Sequence, residues 1–147
     1  MTHPAYFERE HQRLDAELHA HLLELIGADF CAALTRLQRW RAQLARHIAI
    51  EEAELLPHVP EGARWAARVY RLEHERIALL AQEYEEKLRH TAAHPPQGPQ
   101  ATREAVLALL DAAHALRHVI EHHHEREEKA LAEELAPALQ AAAWGAA

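Results

Sequence analysis

The chain has 147 residues, 49% of them hydrophobic, and carries 16 Lys and Arg against 23 Asp and Glu, a formal net charge of −7. That length fits one domain, 1–147, around one core, and an acidic balance with no basic stripe argues against a nucleic-acid partner. No apolar run approaches the ~18 residues of a membrane span, the start MTHPAYFEREH has neither the basic residues nor the apolar run of a signal peptide, and the single Cys31 has no disulfide partner, so a cytoplasmic protein away from membranes is expected.

Ala and Leu dominate the hydrophobic fraction, with Arg, Glu and Gln between them; with 4 Gly and few β-branched residues, an all-α fold follows. Helix 1 is expected to start near Thr2–Pro4, a cap with Pro in the first turn, and to run to about Ile26, ending at Gly27. Asp29 caps helix 2, which reaches about Leu56 before Pro57, Pro60 and Gly62 break the chain. Helix 3 covers about Ala63 to Arg89. The segment HTAAHPPQGPQ (90–100) is the longest non-helical stretch, and Thr102 caps helix 4, which continues to about Leu135 with Pro137 near its end. Short connections between long helices imply an up-down-up-down antiparallel four-helix bundle.

Each helix has one apolar stripe at helical spacing. The stripes are Phe7, Leu14, Leu18, Leu22 and Leu25; Leu37, Trp40, Leu44, Ile48 and Leu55; Tyr70, Ile77, Ala81, Tyr84 and Leu88; and Val106, Leu109, Ala113, Ile120 and Leu131. The 14 His are an excess that position must explain. At about 100° per residue, His11 and His74 fall near the middle of their stripes. His47 sits at a stripe margin with Glu51 one turn on and nearer the centre, and His123 with Glu127 has the same two phases.

The chain also repeats itself. FEREHQRL around His11 matches YRLEHERI around His74, and HIAIEEAEL from His47 matches HHEREEKAL from His123, both as H-x-x-x-E-E-x-x-L. One helical hairpin occurs twice, which predicts an approximate two-fold axis. Turn positions agree: His11 lies 17 residues before Ala28 and His47 19 after it; His47 lies 12 before Val59 and His74 15 after it; His74 lies 22 before Pro96 and His123 27 after it. In an antiparallel bundle the histidines then share one layer, with both glutamates about one turn (~5.4 Å) away.

Buried polar groups need partners, and four imidazoles with two carboxylates suit iron, and less well manganese or zinc. The i, i+4 spacing sets a His and a Glu on one face, ~6 Å apart at Cβ. Two metals ~3.5–4 Å apart, each with two His and both bridged by the glutamates, would keep positions for an oxo or hydroxo bridge and for an outside ligand. A lone His on helices 1 and 3 and H-x-x-x-E on helices 2 and 4 resembles the hemerythrin-like, or HHE cation-binding, family over nearly the whole chain. The resemblance implies metal ligands His11, His47, Glu51, His74, His123 and Glu127 and a di-iron cofactor. Oxygen-carrying hemerythrins have a fifth His on helix 3 and an Asp late on helix 4; here those places hold Ala78 and Glu127. That is closer to the four-His, two-Glu branch, which includes the iron–sulfur cluster repair di-iron proteins, and it speaks against reversible oxygen transport. Those repair proteins often carry a Cys-bearing N-terminal segment; without it here, repair is one option.

The implied function is a non-haem di-iron protein that binds or reacts with a small ligand such as dioxygen, nitric oxide or peroxide, in redox sensing or in iron and oxidative or nitrosative stress handling. Turnover, reversible binding and a metal-stabilised interaction module all stay open, as does an iron donor of the repair type. A ferritin-like di-iron oxidase is the nearer rival, through E-x-x-H at Glu8–His11 and Glu121–His124. His124 with Glu128 could replace His123 with Glu127 by a one-residue shift. His114, His118 and His122 form an outward stripe, read as a solvated face or an accessory surface metal site. His3, His19, His21, His58, His90 and His94 are expected at the surface or in turns, and Cys31 in the core. Glu10 and Glu73 are expected as solvated charges, although a ligand His needs an acceptor for its free N–H. Tyr70 and Tyr84 flank the His74 layer as core aromatics or as hydrogen-bond donors. Exposed Trp65 or Trp144 would support a homodimer.

Overall fold

The structure, a computed structural model, describes residues 5–145, so the expected cap at Thr2–Pro4 and His3 lie outside the described residues. The described residues are helical and turn, with no strand. Four long helices, α1 (Tyr6–Ile26), α2 (Phe30–Ile50), α3 (Ala67–Ala93) and α4 (Gly98–Arg126), are followed by the short α5 (Ala132–Glu134) and by α6 (Pro137–Trp144). Helix α1 packs on α2 and α4, and α3 on α2 and α4, which makes a helical bundle. No helix among the described residues is long and apolar enough to cross a membrane.

The apolar stripes build the interior. Every stripe residue is buried except Ile48 and Val106, which are half-buried against the same core. The core falls into two clusters. The larger gathers Leu14, Leu44, Ile77, Ile120 and the residues beyond them; the smaller gathers Phe7, Leu55, Leu56, Tyr70, Leu131, Leu135 and Trp144. On each long helix the change from one cluster to the other falls where the stripe carries a His, or a His and a Glu.

Several boundaries differ from expectation, each for a local reason. At the first turn the left-handed residue is Ala28 (φ 58), not Gly27, which stays at φ −74. Asp29 does cap α2, accepting from Ala32 N at 3.0 Å. Helix α3 starts at Ala67 rather than Ala63, because the preceding loop docks elsewhere: Arg64 N–H donates to Glu134 at 2.7 Å, and Arg126 lies over the Trp65 ring at 4.1 Å. At its other end α3 runs to Ala93 and stops only before Pro95, where the residue ahead of a proline is biased away from the helix. Helix α4 opens at Gly98 with Pro99 in the first turn, so Thr102 is inside it and donates back to Gly98 O at 2.8 Å. The expected 90–100 loop therefore shrinks to residues 94–97.

Two departures bear on the site. Helices α2 and α4 each pass into a π-helical turn, Glu51–Leu55 and Glu127–Leu131, each opening on one of the candidate glutamates. Pro137 starts a helix rather than ending one. Gln140 clamps the bend before it, donating to Ala132 O at 2.8 Å and Leu135 O at 3.0 Å. Helix α6 then carries Trp144 inward to 4% exposure, so Trp144 offers no dimer surface; Trp65 is half-buried.

Candidate metal centre

Between the two apolar clusters, His11, His47, Glu51, His74, His123 and Glu127 meet in the interior, none more than 4% exposed. Each odd-numbered long helix supplies one histidine. Helices α2 and α4 each supply a histidine and, one turn later at the mouth of the π-helical turn, a glutamate. The side chains form two groups of four, His11, His47, Glu51, Glu127 and Glu51, His74, His123, Glu127, with one candidate ligand atom from each residue within 4.8 Å of the others.

The carboxylates are shared. Glu51 Oε1 meets His47 Nε2, and its Oε2 lies 3.2 Å from His74 Nε2. Glu127 Oε1 lies 2.8 Å from His11 Nε2 and 3.9 Å from His47 Nε2, while its Oε2 lies 3.1 Å from His123 Nε2 and 3.7 Å from His74 Nε2. Each glutamate thus places one oxygen in each group.

The far ring nitrogens explain the doubled glutamate of the repeat. His11 Nδ1 meets Glu128 at 3.0 Å and His74 Nδ1 meets Glu52 at 2.8 Å. In H-x-x-x-E-E the first glutamate faces the centre, and the second accepts from the lone histidine of a neighbouring helix. His123 Nδ1 meets Glu73 Oε1 at 3.0 Å, and Arg126 Nε holds the same carboxylate at 3.1 and 3.2 Å. A carboxylate on Nδ1–H leaves Nε2 with its lone pair aimed inward, the tautomer a metal-binding imidazole needs.

Without a cation the centre is held by charge. Burial alone would lower the pKa of each ring, but the adjoining carboxylates outweigh it. His47, opposed by burial and raised chiefly by Glu51, is pushed up to about 10. His74 likewise reaches about 10, raised by Glu127 and Glu51, and His123 about 9, raised first by Glu127. His11 is raised by Glu127 and Glu128 against its burial. Burial pushes the Glu127 carboxyl up, yet His123, Glu51 and His11 together hold it well below the usual carboxylate range.

Even so, the polar atoms are not satisfied among themselves. Both nitrogens of His47, both oxygens of Glu51, Nε2 of His74 and of His123 and Oε2 of Glu127 are buried without a hydrogen-bond partner among the described residues. Such a concentration of unpaired polar atoms in a core is costly, and all of them but His47 Nδ1 face one another within the two groups. Nitrogen and carboxylate donors in that number fit transition-metal cations, so the residues present could hold a metal ion.

No family model, curated protein or solved structure matches the chain.

Other expected positions fall out as follows. His124 is buried but belongs to neither group; it stacks on the His11 ring at 3.7 Å and 4°. Burial and the adjacent His11 push it down to about 2, which keeps it neutral. Glu8 and Glu121 of the ferritin-like reading lie outside both groups. His114, His118 and His122 are exposed, as are His19, His58, His90 and His94.

Three readings need correction. His21, expected at the surface, is fully buried: Nδ1 donates to Ala33 O at 2.7 Å, and Nε2 accepts from the Tyr84 hydroxyl at 2.6 Å. Its place three residues after Leu18 on the helix 1 stripe was the available signal. Tyr84 is therefore committed to His21, whereas the buried Tyr70 hydroxyl has no partner among the described residues. Cys31, expected in the core, is exposed. Glu73, expected as solvated, orients His123, whereas its repeat counterpart Glu10 pairs with Arg13 at 3.3 Å.

Proposed function

We propose that this chain, residues 1–147, is one hemerythrin-like domain, an up-down-up-down four-helix bundle, and that it holds two iron ions through His11, His47, Glu51, His74, His123 and Glu127. The observation that carries this reading is the division of each carboxylate between two groups of two imidazoles. The neighbour order of the long helices and the repeated hairpin support the topology. A pair of irons, when bound, supplies a redox-active centre with coordination positions left over for an outside ligand.

The chain's own residues define what that ligand can be. The ligand atoms are buried between two apolar clusters, so only a small species such as dioxygen, nitric oxide or peroxide suits the space. Glu128, Glu52 and Glu73 accept hydrogen bonds from Nδ1–H and keep three rings aimed inward, while Phe7, Tyr70, Leu55 and Leu131 exclude water from one side. Binding or reaction of such a ligand, in redox sensing or in iron and oxidative or nitrosative stress handling, is the role this arrangement supports best. The two outlying E-x-x-H glutamates make a ferritin-like carboxylate centre the weaker reading.

The test is metal content and absorption of protein produced with iron. Two irons per chain with near-ultraviolet absorption of a coupled ferric pair are expected. Protein that takes up no iron, cobalt or manganese when its metal-free form is titrated would sink the proposal.

A further inference from the structure

The internal repeat pairs every residue of one half of the centre with one of the other, and at one place the pairing fails. Three of the four rings have a carboxylate on Nδ1: Glu128 for His11, Glu52 for His74 and Glu73 for His123. His47 has none; its Nδ1 is buried and without a partner among the described residues. The repeat says which residue should serve it. Glu73 precedes His74 as Glu10 precedes His11, so Glu10 is the counterpart, yet it pairs with Arg13.

The cause can be traced to one position. Arg126, three residues after His123, grips Glu73 and rests on the Trp65 ring, which fixes the carboxylate over His123. The residue three after His47 is Ile50. With no cation at that position, Glu10 pairs with Arg13 in the cleft beside His47 and not with the His47 ring. In place of a carboxylate, the face of the His47 ring is covered by Trp144 of α6, at 4.7 Å and 12°. His47 and Trp144 also line a cleft of about 410 Å³, together with Glu10, Arg13, Leu14, Arg46 and Ile50.

We propose that the two metal positions are unequal. The His74/His123 position, with both rings anchored by glutamates, binds its ion tightly. The His11/His47 position, with one ring unanchored beside an open cleft, fills second, releases its ion first and is the side from which an outside ligand approaches. This rests on the two-metal reading above and adds the order within it. An outer carboxylate on a ligand histidine fixes its orientation and raises its basicity, and losing one costs about 10–100-fold in metal affinity; that is the expected gap between the positions.

The experiment is a titration of the metal-free full chain with Co(II), followed by its visible bands, on the natural sequence and on the repeat-related variants Glu73→Leu and Glu10→Leu. Two equivalents should bind in two steps about 10–100-fold apart. Glu73→Leu should weaken the tight step until the two merge, and Glu10→Leu should leave both unchanged. His47→Ala should abolish the weak step and keep the tight one. One affinity for both equivalents, or equal effects of Glu10→Leu and Glu73→Leu, would overturn the inequality and leave the two-metal reading standing. Absence of Co(II) binding would remove both. The unmodified chain alone suffices to decide, should a variant fail to fold.

Discussion

At the scale of single residues, the centre is a set of charges for which a bound cation would compete with protons. The folded pKa values of His47 and His74 (about 10) and His123 (about 9) lie above their ordinary 6.5. Their contribution to the metal-free protein is therefore fully present below pH 6.5 and is lost as pH rises through 9 to 10. Glu127 is shifted the other way, so its contribution is present above its ordinary 4.5 and lost as pH falls through its depressed folded value. Metal-free protein should accordingly melt at a lower temperature at pH 10 than at pH 6.5. Loading metal at pH 7 should release protons, read with an indicator dye in weak buffer; uptake without proton release would contradict imidazolium rings in the empty centre. His74→Ala and Glu127→Ala should lower iron content, while His118→Ala, on an exposed face, should leave it intact. Away from the centre, His21→Phe leaves the buried Tyr84 hydroxyl without its partner and should cost about 1–3 kcal/mol in urea unfolding.

At the scale of elements, the turn between α1 and α2 holds Ala28 at φ 58, a conformation that costs a residue with Cβ roughly 1–2 kcal/mol. Ala28→Gly should raise the unfolding free energy by about 1 kcal/mol, less the entropy glycine adds to the unfolded chain. No gain in urea denaturation would mean that the turn relaxes. The paired π-helical turns matter more for function. Single π-turns interrupt helices most often at functional sites, and here each begins on a glutamate of the centre and is followed by the neighbour that serves another helix's histidine. Helix α6 acts as a cover: Trp144 packs edge-on against Phe7 and face-on against His47. Trp144→Ala should cost about 3–5 kcal/mol, as large-to-small core substitutions do, and should also speed chelator removal of metal. Equal chelation rates with and without the indole would deny α6 that role.

For the whole molecule, the centre divides the core, so the apolar clusters on either side meet across a layer of charge. When empty, such a layer rests on its own charges, since several of its polar atoms are buried without a hydrogen-bond partner among the described residues. A cation binding only the folded state adds RT ln(1 + [L]/Kd), about 4 kcal/mol at a thousandfold excess over Kd. Metal should therefore raise the melting temperature, more for this chain than for its Glu127→Ala variant; a melting temperature indifferent to metal would count against the centre as the bond between the clusters.

Much of the helical framework was legible in the sequence, because helical period is a local property. The stripes placed His11, His74 and the two His–Glu pairs on inward faces from residues three and four apart, and the repeated H-x-x-x-E-E set the two halves beside each other before any contact was known. The late start of α3, the helical 90–93 segment and α6 were not legible, since they depend on where a loop or a proline docks. The same limit governs the outer partners. Glu128 reaches His11 across 117 residues, Tyr84 reaches His21 across 63 and Glu73 reaches His123 across 50. Sequence determined which side chains of the four stripes turn inward; the tertiary structure alone decided the burial of His21 and Trp144, which oxygen faces which ring and which ring is left without an acceptor. Those outcomes depend on the rotation and sliding of one helix against another, to which no periodicity within a single helix is sensitive.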